Sequence, residues 1–281
     1  MGNILGDYTE NNYEQEWSVP EVPAPQPQFI NIHGHKYRII GIIGRGSIGA
    51  VFQAVTANGV PIAIKAVDLK QHPNPNRLIE SIATEIQMSF SLKKESNHIA
   101  QMYDFDFDPR SGFAYLTMEL GGDNLDQHLN KRGDMSPTHQ QKIWKQLVNI
   151  LIHLDLKPAN LVFFGPVMKL VDMGIAQKGN SIGLGGAGTQ GFSAPEMLLP
   201  KGRFVRNSYK ADVYSAGAIL YYMTYRVPPA YRGETSSYRP PPGIPMVRDK
   251  LINDVLKQCL QKDPSRRPNL QWLLRHPYTR N

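Results

Sequence analysis

The 281 residues, 41% hydrophobic and 20% charged, have the balance of an ordinary globular protein, long enough for one large core or for two lobes that share a cleft. The single cysteine, Cys259, excludes an internal disulfide framework and reads as a buried core thiol in a reducing compartment, and no apolar run approaches the ~18 residues of a membrane span. The net charge of +7 is uneven: residues 1–35 hold five acids and no Lys or Arg, which leaves 31 basic and 19 acidic side chains elsewhere, a net of +12. Those basic residues are scattered, with no interleaved aromatics and no basic helix face, which argues for a solvated surface and a phosphate-binding cleft over a nucleic-acid interface.

In chain order, residues 1–28 are acidic and end in Pro20, Pro23, Pro25 and Pro27, a composition that favours disorder, and 1–35 are assigned as a tail before a domain at 36–281. There is no apolar h-region for a secretory signal, and Gly2 lacks the Ser or Thr at position 6 that N-myristoylation wants. The setting read from this is intracellular, cytoplasm or nucleus. From Tyr37 onward, β-branched and aromatic runs broken by glycine predict strands at Tyr37–Ile43, Ala50–Thr56 and Ile62–Val67. Ile79, Ile82, Ala83, Ile86 and Phe90 then recur at helical spacing, and further strands are expected around Gln101–Phe107 and Phe113–Met118. Gly121–Gly122 reads as a hinge. Beyond it helical patterns dominate, one of them with Ser136 as N-cap, Pro137 at the first position and Ile143, Leu147 and Leu151 on one face. A strand-rich first third and a helix-rich remainder predict an α+β molecule with a small sheet lobe (36–120) on a larger helical lobe (121–281).

Four stretches carry chemistry. Gly44, Gly46 and Gly49 form a glycine-rich loop, which by itself also marks dinucleotide-binding folds. Those folds need a helix next, whereas Ala50 to Val55 favours a strand, and a strand–turn–strand can fold its N–H groups over phosphates. Lys65 follows among apolar strand residues, where an ammonium is costly unless paired; nucleotide phosphates and Glu85, mid-helix in the next segment, are the natural partners. In the run His153 to Val162, Asp155 is placed to accept a hydroxyl proton, Lys157 to neutralise phosphate charge and Asn160 to hold a metal ion. Asp172, at the end of an apolar strand and followed by Met173-Gly174, suits Mg²⁺ bridging phosphates.

Taken with Ala194-Pro195-Glu196, these stretches resemble, in order, the signature set of the eukaryotic protein kinases, over about His35 to Thr279. The resemblance implies a two-lobed kinase fold, ATP and Mg²⁺ as cofactors, and protein substrates phosphorylated on Ser or Thr. It places Asp155 and Lys157 in catalysis, Asn160 and Asp172 on the metal, and Gly44, Gly46, Gly49, Val51, Ala63, Lys65, Glu85, Met118, Glu119 and Gly121 around the nucleotide. It also implies that Asp212 lies in the buried helix of the large lobe, that Arg267 pairs with Glu196, and that Thr189 ties the substrate platform to Asp155 and Lys157. Within the family the chain is most similar to the monopolar-spindle, or spindle-checkpoint, dual-specificity kinases. The features are Ala211 to Ser215 with Ile219 to Tyr225, the catalytic loop without Arg, Met118-Glu119, and the closing His276-Pro277-Tyr278. That resemblance implies some tyrosine phosphorylation, a mitotic setting and, by analogy alone, the kinetochore.

Two departures stand out. Leu154 replaces the Arg that receives an activation-loop phosphate, so control by such a phosphate is expected to be weaker or differently wired. Only sixteen residues separate Ser136 from His153, about eight fewer than kinases place there. A helix of some twelve residues, ~18 Å long, is expected, with loss of packing under the catalytic loop. The alternative function is therefore a catalytically impaired kinase-fold scaffold or nucleotide-binding module.

Overall fold

The computed structural model describes residues 28–46, 49–70, 72–92, 96–133, 135–150, 156–172, 182–184, 189–199, 204–206, 209–230 and 238–280. The first lobe is one antiparallel sheet in the order β1-β2-β3-β4-β6-β5. Its strands are β1 (Phe29–Ile32), β2 (His35–Gly46), β3 (Gly49–Val55), β4 (Pro61–Asp68), β5 (Met102–Asp108) and β6 (Phe113–Glu119). Helix α1 (Pro75–Leu92) covers one face, and Leu78 and Ile82 pack into a cluster with Ala63, Val67, Met102, Ala114, Leu116 and Met118.

The strands lie where the alternation put them, but β1 corrects the predicted tail. Phe29 to Ile32 pair with Arg38 to His35, and Ile32 is fully buried with Tyr37, Ala54, Ile62 and Ile64. Burying one such side chain stabilises by about 1.5–3 kcal/mol, enough to hold a short strand that composition alone assigns to the solvent. The residues before Gln28 lie outside the described set. The face of α1 also differs from the predicted stripe. Leu78, Ile82, Glu85 and Ser89 are inward, while Ile79 and Phe90 are 38% and 43% exposed. The helix is turned so that Leu78, Ile82 and the Glu85 carboxylate face the sheet, while Ile79 and Phe90 point away.

The second lobe is helical. It comprises α2 (Leu125–Arg132), α3 (Pro137–Ile150), the hairpin β7 (Leu161–Phe164) and β8 (Val167–Leu170), and the pair β9 (Ile182–Leu184) and β10 (Phe204–Arg206). The helices α4 (Tyr209–Tyr225), α5 (Lys250–Cys259), α6 (Leu270–Arg275) and α7 (Pro277–Arg280) follow. Helix α4 is buried without a break from Ala211 to Tyr221, with Val213, Ala216, Ile219 and Leu220 at 1% exposure or less. Asp212 lies 2% exposed on it, in the place the resemblance implies. Cys259 is fully buried at the end of α5, and burial pushes its thiol far up.

Helix α3 has 14 residues, two more than expected. Ser136 Oγ accepts from His139 N at 3.3 Å at its start, as the N-cap reading requires. Ile143, Trp144, Leu147, Val148 and Ile150 are all buried in the main core. Its far half also holds the β7–β8 hairpin: Gln146 accepts from Met168 N at 2.7 Å and donates to Pro166 O at 3.2 Å. The predicted Leu151 contact, with His153, Leu154 and Asp155, lies outside the described residues. Among the described residues no helix is long and apolar enough to cross a membrane.

Candidate active site

The cleft between the lobes is roofed by β2 and β3. Gly44 pairs with Val51 and Gly46 with Gly49, closing the glycine hairpin whose tip, Ser47 and Ile48, lies outside the described residues. At Gly49 a Cβ would overlap the Ala66 carbonyl, so only glycine allows β3 to lie this close to β4. Val51 stands opposite Lys65, and Ala63 opposite Met118; all three apolar side chains belong to the cluster under α1.

Lys65 is the junction of the site. Its Nζ donates to Glu85 Oε1 and Oε2 at 3.0 and 2.8 Å and to Asp172 Oδ1 at 3.4 Å. Residues from β4, α1 and the strand end after β8 therefore meet, although 107 positions separate Lys65 from Asp172. Burial pulls the ammonium down, but the Glu85 and Asp172 carboxylates outweigh it and hold Lys65 above an ordinary lysine. Burial, reinforced by the charge of Asp172 and opposed by Lys65, pushes Glu85 up. The ammonium is shared between a shielded carboxylate, Glu85, and one open to solvent, Asp172, with side-chain exposures of 3% and 41%.

The metal candidates are adjacent. A short turn over Pro158–Asn160 is closed by Asn160 N donating to Lys157 O, and Asn160 O accepts from Val171 N at 3.0 Å, directly before Asp172. Asn160 is 6% exposed, whereas the Asp172 side chain is 41% exposed. A carboxylate and an amide oxygen on abutting segments are hard oxygen donors that suit Mg²⁺, an ion that completes its shell with phosphates and waters.

At the hinge, Glu119 N donates to Gln101 O, Gly122 N to Phe163 O, and Phe163 N to Asp123 O, so residues 119–123 are tied to both lobes. Beyond the cleft, Arg267 is fully buried and forms a bidentate pair with Glu196, 2.6 and 2.7 Å, as the sequence reading expects. Thr189 accepts at its carbonyl from Phe192 N and Ser193 N, and its own N donates to Ser193 Oγ, a turn that fixes the stretch before Ala194. Its expected tie to Asp155 falls outside the described residues, as does Met173-Gly174.

Lys65 thus joins a helix carboxylate to Asp172, and Asp172 follows directly on the residue bonded to Asn160. A family model for the protein kinase domain matches residues 37–279. The chain belongs to the protein kinase family. Kinase domains use ATP and a divalent metal. This kinase is similar to dual specificity protein kinase TTK of Mus musculus, 31% identical over 89% of this chain and 32% of the relative. It is also similar to dual specificity protein kinase Ttk of Danio rerio and to the probable serine/threonine-protein kinase mps1 of Dictyostelium discoideum. Both are 29% identical over 92% of this chain and 29% of the relative. The chain thus spans about a third of the length of the curated relatives it matches.

Sequence reasoning missed Lys169. Its Nζ reaches Glu119 Oε1 and Oε2 at 2.7 and 2.9 Å. In sequence it is an ordinary polar residue alternating with the apolar Met168 and Leu170, and no local signal marks it.

Proposed function

We propose that this kinase transfers the γ-phosphoryl of Mg-ATP to Ser and Thr hydroxyls of proteins, with some capacity for Tyr. The observation that carries the reading is the convergence of Lys65, Glu85 and Asp172, with Asn160 and Lys157 on the segment abutting Asp172. In this reading Gly44, Gly46 and Gly49 present backbone N–H groups to the phosphates, and residues 118–121 seat the base between Val51, Ala63 and the hinge. Lys65, oriented by Glu85, orients the phosphates. Asp172 and Asn160 hold Mg²⁺, which when bound neutralises charge on the phosphate oxygens. Asp155 takes the proton of the attacking hydroxyl as the new O–P bond forms and the bond from Pγ to the ADP oxygen breaks. Lys157 balances charge on the transferred group. The dual-specificity relatives support the acceptor class, and the resemblance to spindle-checkpoint kinases supports a mitotic role at the kinetochore, in cytoplasm or nucleus.

The test is transfer of labelled γ-phosphate to a generic basic protein and to a tyrosine peptide. Asp155→Ala and Asp172→Asn should each abolish labelling while Mg-ATP still stabilises Asp155→Ala. Equal labelling by the parent and both variants would remove the reading. The 14-residue α3 still packs in the core and holds β8, so the expected impairment gains no support from its packing.

A further inference from the structure

The carboxylate of Glu119 is taken up by two partners. Lys169 Nζ, on β8, donates to both oxygens, and Gln101 N, just before β5, donates to Oε1 at 2.7 Å. The ion pair is mostly shielded, with side-chain exposures of 19% and 18%. The same ammonium lies 4.9 Å above the centre of the Phe164 ring on β7. Phe164 in turn presses on the hinge: a Cβ at Gly121 would overlap Val162 and stand 2.9 Å from Phe164 Cζ. Strand β8 is also clipped to the first lobe's segment, through Leu170 N to His98 O and Ala100 N to Leu170 O, both 2.9 Å. The hinge, the entry to β5 and β8 therefore form one triangle, and Asp172 stands three residues beyond Lys169, just past the end of β8.

From this geometry we propose that Lys169 is a positioning residue, which, through Glu119, fixes the angle between the lobes and with it the distance from Lys65 to Asp172. The inference rests on the phosphoryl-transfer reading and adds the element that sets up its nucleotide seat. A shielded bidentate pair that bridges two lobes has few alternative partners, unlike an exposed pair, and its loss frees the hinge to sample other angles. The braced arrangement is the one in which Lys65 and Asp172 already meet, so loosening it separates them on average and weakens nucleotide binding.

The experiment measures KM for ATP, kcat and thermal midpoint for Lys169→Met, Glu119→Gln and the double variant, with Lys169→Arg as the conservative replacement. Each single change is expected to raise KM for ATP about 3- to 10-fold with a smaller change in kcat. The double variant should be no worse than the worse single one, because it removes the same brace once and leaves no unpaired charge. Lys169→Arg should restore most of the loss. A lowered midpoint with unchanged KM would mean a structural pair only and would overturn the proposal, as would faster turnover in Lys169→Met, which would make the pair a restraint. Hydrogen exchange at Gln101 and the hinge, read in parallel on the same variants, separates the two ideas. Faster exchange together with a parent that neither binds Mg-ATP nor labels substrate would sink the kinase reading and leave the brace standing, and unchanged exchange would sink the brace.

Discussion

At the scale of single residues, the site is a problem of charge. Lys65 bonds two carboxylates from opposite lobes and stays protonated through the neutral range, because those carboxylates lift it against burial. Lys65→Met should reduce phosphoryl transfer about 10²–10³-fold, the usual loss for one electrostatic donor, and should also lower the thermal midpoint, because the buried Glu85 loses its cation. His33 offers a contrasting case at the surface. In the β1–β2 turn its Nδ1 lies 3.1 Å from both oxygens of Asp104, on β5, and hydrogen bonding to Asp104 raises it above 6.5. A raised histidine contributes its contact in full below the ordinary value and loses it as pH rises through the folded one. An NMR titration should place His33 above 6.5, and Asp104→Asn should return it towards that value. Lys65 was legible as an ammonium among apolar strand residues that needs a partner, Glu85 as the mid-helix carboxylate to supply it, and Asp172 as a carboxylate at a strand end shortly before a glycine. Lys169 was not, because it sits at an unremarkable alternating position and its partner is 50 residues away.

At the scale of elements, the large lobe is joined by a buried ion pair. Arg267 donates to Glu196, to the carbonyls of Gln261, Lys210 and Lys262, and lies 5.0 Å from the Tyr214 ring centre on α4. It thus connects the turn before α6, the Ala194–Glu196 segment and α4. Arg267→Ala leaves Glu196 without its cation and several carbonyls without donors, and should cost about 3–5 kcal/mol in a urea titration. Arg267→Lys should recover little, since one ammonium cannot span the fork. The pairing was legible from the order of the motifs. The rotation of α1 was not, because the periodicity of Ile79, Ile82, Ile86 and Phe90 is real but the helix is held by Leu78, Ile82 and the Glu85–Lys65 bond. Tertiary pairing outweighed an apolar stripe. The length of α3 was legible to within two residues, but its hold on β8 through Gln146 was not, since a lone glutamine gives no sign of the backbone group it will meet.

At the scale of the whole molecule, the proposed nucleotide site is shared by two lobes joined at residues 119–123, so binding should stabilise both. Mg-ATP at a hundred times its dissociation constant adds about 2.7 kcal/mol, a rise of roughly 5–10 °C in thermal midpoint. Asp172→Asn should remove most of the magnesium-dependent part of that rise, and a parent with no rise at millimolar Mg-ATP would mean that the cleft does not form. The lobe division was legible from the switch between strand and helix patterns. The start of the first lobe was not, since proline and acid content describe the average of a stretch and β1 depends on a single buried side chain, Ile32.

That short strand matters for anyone cutting the gene. A clone started at the family match, residue 37, would delete the whole outer ribbon and half of the hairpin that sheathes β2. The backbone groups released at Tyr37 to Ile39, next to Ile40 and Ile42 already near half exposed, lengthen the open edge of β2 into an adhesive border for a second molecule. Such a clone should form dimers or larger aggregates in sedimentation, whereas one beginning upstream of Gln28 should sediment without that species.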